Sequence, residues 1–259
     1  MTAPRTFSSA SLSTDELWFL LNQFGPGTVV GLKNPYPGWL IEEIEDQMRA
    51  AINRLLERGM ATLTSPETMD VDDTLYGWVQ TMAHPEHTLI VTGSPERHIY
   101  YGETGLVEHT TLNEGTHNLR AIVGQEELLE ILNGPLAQQS QAQGGQPFEI
   151  EEDVLMTAGR CAGQGDHAGM QAALDGTNLP EGARTELATA LLQPAGNVSF
   201  SIICFQNDPE RQQVRGFGLL EGGGRLWIMR PQESFGKQII CFEPADAARV
   251  RQALFEILP

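Results

Sequence analysis

The feature that most constrains how this chain can fold is an order of elements that occurs twice. Ser94-Pro95-Glu96-Arg97 and Asp208-Pro209-Glu210-Arg211 share three of four letters, and each follows an apolar, β-rich run. The first run is Thr88-Leu89-Ile90-Val91-Thr92 and the second extends from Val198 to Phe205. After each tetrapeptide come short strands broken by Gly or Asn, predicted at residues 98–103, 106–112 and 117–123 in the first half. In the second half they fall at 213–220, 225–230 and 237–242. Each set closes with an amphipathic helix, at 125–132 and 244–258. Strands about ten residues apart with turns this short pair antiparallel, because a parallel pair needs a crossover of a dozen residues or more.

Helices precede each set of strands. Thr14 caps a predicted helix carrying Leu17, Trp18, Leu20 and Leu21, which stops at Gly25-Pro26-Gly27. A longer one over 39–58 aligns Leu40, Ile44, Met48, Ile52 and Leu55 on one stripe at spacings of three and four, with Gly59 after it. Asp70 opens a third with Leu75, Trp78, Val79 and Met82, closed by Pro85. Helices at 151–161, 166–174 and 180–192 take the same places in the second half. Residues 138–146 are polar and without periodicity, which reads as a linker. The fold expected is α+β: an internal duplication with pseudo-twofold symmetry, a central antiparallel sheet of about eight strands, and helical bundles flanking it. The halves are 14–135 and 148–259, joined by 136–147 into one compact unit.

At 259 residues the chain buries a core without disulfides or a structural metal. Its 34 acidic and 16 basic side chains leave a formal net charge of −18. Only two lysines, Lys33 and Lys237, are present, so phosphate-rich partners such as nucleic acid and anionic membranes are disfavoured. No run approaches 18 apolar residues and the first thirteen lack an apolar segment, so neither a membrane span nor a signal peptide is expected and the place of action is the cytoplasm. Cys161, Cys204 and Cys241 lack CxxC spacing and read as buried, reduced thiols.

Chemistry is sparse. His84 and His87 flank Pro85 at a helix end, and His98, His109 and His117 fall on strands that also carry Glu and Thr. Solvated strand histidines account for them better than a zinc site. Gly163-Gln164-Gly165 follows a helix, not a strand, so it turns one helix into the next and binds no dinucleotide. Asp72, Asp73, Glu149, Glu151, Glu152 and Asp153 read as helix-start charges. No nucleophile elbow or activated thiol is present, and no catalytic residue, cofactor or metal is expected. The second-half strands are apolar on both faces, which fits a sheet sandwiched between helices or one face kept for a partner. Strand alternation offers Phe217, Leu219, Trp227 and Met229 as partner-binding candidates.

Several strings resemble the EspG-like proteins associated with type VII (ESX) secretion. They are Asp15-Glu16-Leu17-Trp18-Phe19-Leu20-Leu21 with Phe24-Gly25, the Asn34-Pro35-Tyr36 turn, Leu55-Leu56-Glu57-Arg58-Gly59-Met60, and the stretch from Leu75 to Leu89. In the second half they are Phe148-Glu149-Ile150, Val214 to Leu220, Gly224-Arg225-Leu226-Trp227-Ile228 and Phe242-Glu243-Pro244-Ala245-Asp246. The resemblance spans residues 14–258. It implies a pseudo-twofold α+β fold and a cytosolic, non-enzymatic chaperone that covers an apolar tip of a helical secretion substrate, PE–PPE-like or a small helix hairpin. Two alternatives stand beside it: a small-molecule or metal-binding enzyme using the His84 and His87 region, and a self-associating structural module in which two-sided apolar strands form a homodimer.

Overall fold

Strand β1 (Ala10–Ser13) runs directly into helix α1 (Thr14–Asn22) through a capping box. The Ser13 hydroxyl accepts from the Glu16 amide at 3.2 Å, and the Glu16 carboxylate accepts from the Ser13 amide at 2.7 Å, satisfying two donors at the helix start reciprocally. The cap is thus Ser13 and not the expected Thr14, whose hydroxyl lies 3.1 Å from His117 Nε2. Glu16 is 2% exposed and also accepts from Arg58 Nη1 at 2.9 Å. This buried carboxylate therefore ties α1 to the C-terminal end of helix α2 (Ile41–Glu57).

The structure is a computed structural model and describes residues 8–25, 28–65, 68–113, 115–133, 146–205, 213–234 and 236–259, side chains 195 and 196 excepted. The 208–211 tetrapeptide and the linker residues 138–145 lie outside the described residues. The chain divides into two units. The first comprises Met1–Ile90, Ser94–Leu129 and Ile203–Gln213; the second comprises Val91–Gly93, Glu130–Ile202 and Val214–Pro259. The architecture is α+β, an antiparallel sheet framework flanked by helices.

After α2 the first unit makes a hairpin, β2 (Ala61–Ser65) with β3 (Thr68–Val71), that the sequence reading lacks. Asp70 lies in β3. The cap of α3 (Asp73–Ala83) is instead Asp72, whose carboxylate accepts from the amides of Thr74 and Leu75. Strands β4 (His87–Thr92), β5 (Arg97–Gly102), β6 (Gly105–Asn113) and β7 (Thr116–Ile122) follow, then α4 (Gly124–Asn133). Their order is β1-β7-β6-β5-β4, with β1 returning to the edge beside β7.

The second unit opens on β8 (Phe148–Glu151), so Glu149 is a strand residue and not the helix-start charge expected, while Glu151 ends the strand as the N-cap of the helix that follows. Helices α5 (Glu152–Gly163), α6 (His167–Asp175) and α7 (Glu181–Leu192) come next. Then come β9 (Pro194–Cys204), β10 (Gln213–Gly222), β11 (Arg225–Ser234), β12 (Lys237–Pro244) and α8 (Ala247–Ile257). Their order is β9-β10-β11-β12-β8, so β8 lies beside β12 as β1 lies beside β7. Each unit therefore carries five strands of this framework where four were expected. The additional strand in each is the short one before the helices, too brief to show a period.

Helices cover the strands in each unit. The first core joins Leu17, Leu20 and Leu21 of α1, Leu55 of α2 and Leu75, Val79 and Met82 of α3 to Tyr100, Val107 and Leu119 of the strands. In the second, Ala158, Met170, Leu174 and Leu187 of α5–α7 pack on Phe148, Leu220, Trp227 and Phe242. Full burial of one such side chain is worth roughly 1.5–3 kcal/mol. Gly222 is required where α7 crosses the end of β10, because a Cβ there would fall 2.5 Å from Ala190 Cα.

Candidate functional site

The four residues proposed for partner binding do not form a surface. Register pairs Leu220 with Trp227 and Gly218 with Met229, whereas Leu219 pairs with Ile228. Trp227 and Met229 therefore share one face of the second unit's strands, and Phe217 and Leu219 share the other. The Trp227 face lies under α5–α7, where Trp227 is 1% exposed and Met229 half-buried. On the other face Arg230 pairs with Glu256 of α8 at 2.8 Å, which brings α8 over it. The same guanidinium sits 5.5 Å from the Phe217 ring centroid, and Phe217 and Leu219 are buried. Two-sided apolarity here means two helical layers. It does not provide a free face.

The strand histidines are buried as well. Register sets His98 opposite His109 and places His117 diagonally beyond, all on the face that carries Tyr100 and Leu119. His98 and His109 have centroids 5.8 Å apart, and His109 and His117 are stacked at 5.2 Å with Nε2 2.9 Å from Nδ1. Thr14 ends the row at His117, while Tyr100 stacks on His98 and donates to the Val30 carbonyl at 2.6 Å. Solvated strand histidines were expected because such strands also carry Glu and Thr, as Glu108 and Thr110 flank His109 on β6. Those residues point to the opposite face, and the imidazoles lie under α1 and the loop at Gly31, with Leu12 of the edge strand β1 beside His117. Gly31, at φ +80°, lies so close to the His98 ring that a Cβ there would overlap it. Burial lowers all three pKa values. His109 falls furthest, to about 3, through burial first and then the proximity of His117 and His98. The row is neutral at physiological pH, packed as aromatic core.

On the opposite face Glu108, 3% exposed, accepts from both Arg97 and Arg120, and Arg120 continues to Glu127 of α4 at 3.1 Å. The Arg120–Glu127 pair has its counterpart in Arg230 and Glu256: in each unit a strand arginine holds the closing helix by a glutamate. Glu108→Ala leaves two arginines, each about a quarter to a third exposed, without their shared anion. The expected cost is about 2 kcal/mol, read as a lower urea midpoint with unchanged slope.

His84 and His87 are not brought together as a ligand pair. His84 Nε2 lies 3.1 Å from the Phe24 carbonyl oxygen, and His87 packs edge-on against Tyr101. Among the described residues no three His, Cys, Asp or Glu side chains gather to hold a metal ion. The three thiols are half-buried rather than buried. Cys241 lies 3.6 Å from Glu149 on the neighbouring strand, and burial, followed by that carboxylate, raises its pKa.

An exposed apolar surface lies along the stripe that the sequence places on α2. Trp39, Leu40 and Ile41 are 45, 65 and 72% exposed, and Ile44, Met48 and Ile52 are half-buried; within α2 only Ala51 and Leu55 are buried. The period of the stripe is right, but only its C-terminal end meets α1. A signal was present in the sequence: Glu42, Glu43, Glu45 and Asp46 crowd the same turns, a charge density that a core-facing stripe does not need.

Comparison with known proteins gives two findings. A family model described as the EspG family matches residues 13–256. Among solved structures, the Mycobacterium tuberculosis type VII secretion system chaperone EspG5, in complex with a PE25–PPE41 dimer, is similar over 97% of this chain and 97% of its own. The TM-score is 0.66 at 10% sequence identity, a likeness of fold. No curated protein matches.

Proposed function

We propose, because this chain belongs to the EspG family, that it is a non-enzymatic chaperone of type VII secretion that binds a helical substrate of the PE–PPE type in the cytoplasm. The observation that carries this reading is the family match over residues 13–256, and the fold shared end to end with a chaperone solved holding a PE–PPE dimer supports it. The side chains agree. The imidazoles on β5–β7 are neutral and packed, and His84 and His87 contact a carbonyl oxygen and a phenol ring. No helix among the described residues is long and apolar enough to cross a membrane. We read the matched order of elements in the two units as an internal duplication.

Co-expression with the PE–PPE pairs of its own genome tests this. A complex that survives size-exclusion chromatography with one pair, holding one copy of each chain, is the expected result. Failure to retain any pair, with the chain folded by circular dichroism, overturns it.

A further inference from the structure

Helix α2 is held at one end only. Its C-terminal half is anchored by buried Ala51 and Leu55, by Arg58 on Glu16, and by Arg54, 3.3 Å from Asp15. Its N-terminal half has apolar side chains in water. Ile41, Ile44, Met48 and Ile52, at spacings of three and four, line one shallow surface together with Glu45 and Arg49. The stripe runs for about 16 Å, some three helical turns.

Charge decides what can cover it. Arg49 is neutralised by Asp46 at 2.9 Å. Glu45 lines the stripe and Glu42 stands exposed in the same turn of the helix, both with no ion-pair partner among the described residues. A second copy of this chain would set the same carboxylates against themselves, between two bodies of net charge −18. An anionic membrane is opposed by the same sign. What fits is an amphipathic helix whose apolar stripe lies along Ile41, Ile44, Met48 and Ile52 and whose flanking Lys or Arg side chains meet Glu42 and Glu45.

We propose that the N-terminal half of α2 is a docking surface for a basic amphipathic helix of another protein. It would be an interaction site in addition to the one that holds the secretion substrate. The probe is a fluorescein-labelled 18-residue peptide with leucines at helical spacing flanked by lysines, and its twin has glutamates in place of the lysines. Anisotropy is expected to show the lysine peptide binding at least tenfold more tightly than its twin, and several-fold more weakly in 0.5 M than in 0.05 M NaCl. Ile41→Glu, at a position exposed enough to leave the urea midpoint unchanged, is expected to weaken binding at least tenfold.

Equal affinity for the two peptides, or binding indifferent to Ile41→Glu, overturns the proposal. So does a dimer in sedimentation velocity that Ile41→Glu dissolves, which would assign the stripe to a second copy. Flotation with phosphatidylcholine vesicles that depends on Ile41 would assign it to lipid and equally overturn it. No PE–PPE pair enters the test, so its failure leaves the chaperone reading standing, and the converse also holds.

Discussion

Trp227→Ala is expected to lower the stability of the second unit by about 4 kcal/mol, and Trp227→Asp to prevent that unit from folding. The ring is 1% exposed among Phe148, Met170, Leu187 and Phe242, held between β11 and helices α5–α7. Truncation leaves a cavity in a layer whose backbone is pinned by pairing with β10 and β12. An aspartate places a carboxylate there without a partner. Trp227→Phe separates size from the indole donor, because Nε1 is buried without a hydrogen-bond partner and its loss sacrifices no bond. That variant is expected to cost less than about 1.5 kcal/mol. Urea titration followed by far-ultraviolet circular dichroism provides the check. A Trp227→Asp protein with an unchanged midpoint would mean that the ring faces water and that the helical layer is misplaced.

Acid is expected to be almost as damaging. His109 titrates near 3 in the folded chain and near 6.5 once unfolded, so the unfolded chain takes up its proton first. The stability this imidazole contributes is complete above pH about 7.5 and is lost as pH falls through 6.5 toward 3. The loss from His109 alone is about 2 kcal/mol at pH 5 and about 3 kcal/mol at pH 4. His98 and His117 are shifted the same way by burial and add to it. Glu243, lowered chiefly by its hydrogen bond from Arg249, begins to contribute only in the carboxylate range. Urea midpoints at pH 7.5, 6 and 5 should therefore fall steadily, and His109→Phe should flatten the fall between 7 and 5. A midpoint constant across that span would contradict a buried, neutral row.

Much of the fold is visible in the residues, and the parts that are not share one cause. Strands β4 to β7 and β9 to β12 announce themselves by β-rich runs and short turns, and α3 and α5–α8 by their periods, because those signals are local. Strands β1 and β8 carry four residues each and acquire meaning only beside β7 and β12, partners far along the chain. The histidines were misplaced for the same reason: their cover comes from α1 and Gly31, and β1 closes the edge beside His117. The α2 stripe shows the converse, a correct period with no neighbour for half its length. For Phe217, Leu219, Trp227 and Met229, alternation identified the opposing faces, but only the three-dimensional placement of α8 and α5–α7 shows that each is already occupied. Family membership was legible from the order of short strings, whereas a binding surface depends on what remains uncovered, which no local string encodes.

The edge position of β1 has a consequence for how the molecule is made. Ala10 pairs with Leu119, about a hundred residues later, and Ile150 waits almost as long for Ile240. On the ribosome each unit's opening strand emerges first yet has no ladder to join until that unit's last strand has followed it out. Once β7 is out it can pair with β6 as a hairpin at once, but His117 gains Leu12 beside it and Thr14 at its ring nitrogen only when the long loop back to β1 closes. Closure of each unit is thus a long-loop event that comes only after that unit's own last strand, and each opening strand stays unpaired for most of the time its unit takes to emerge.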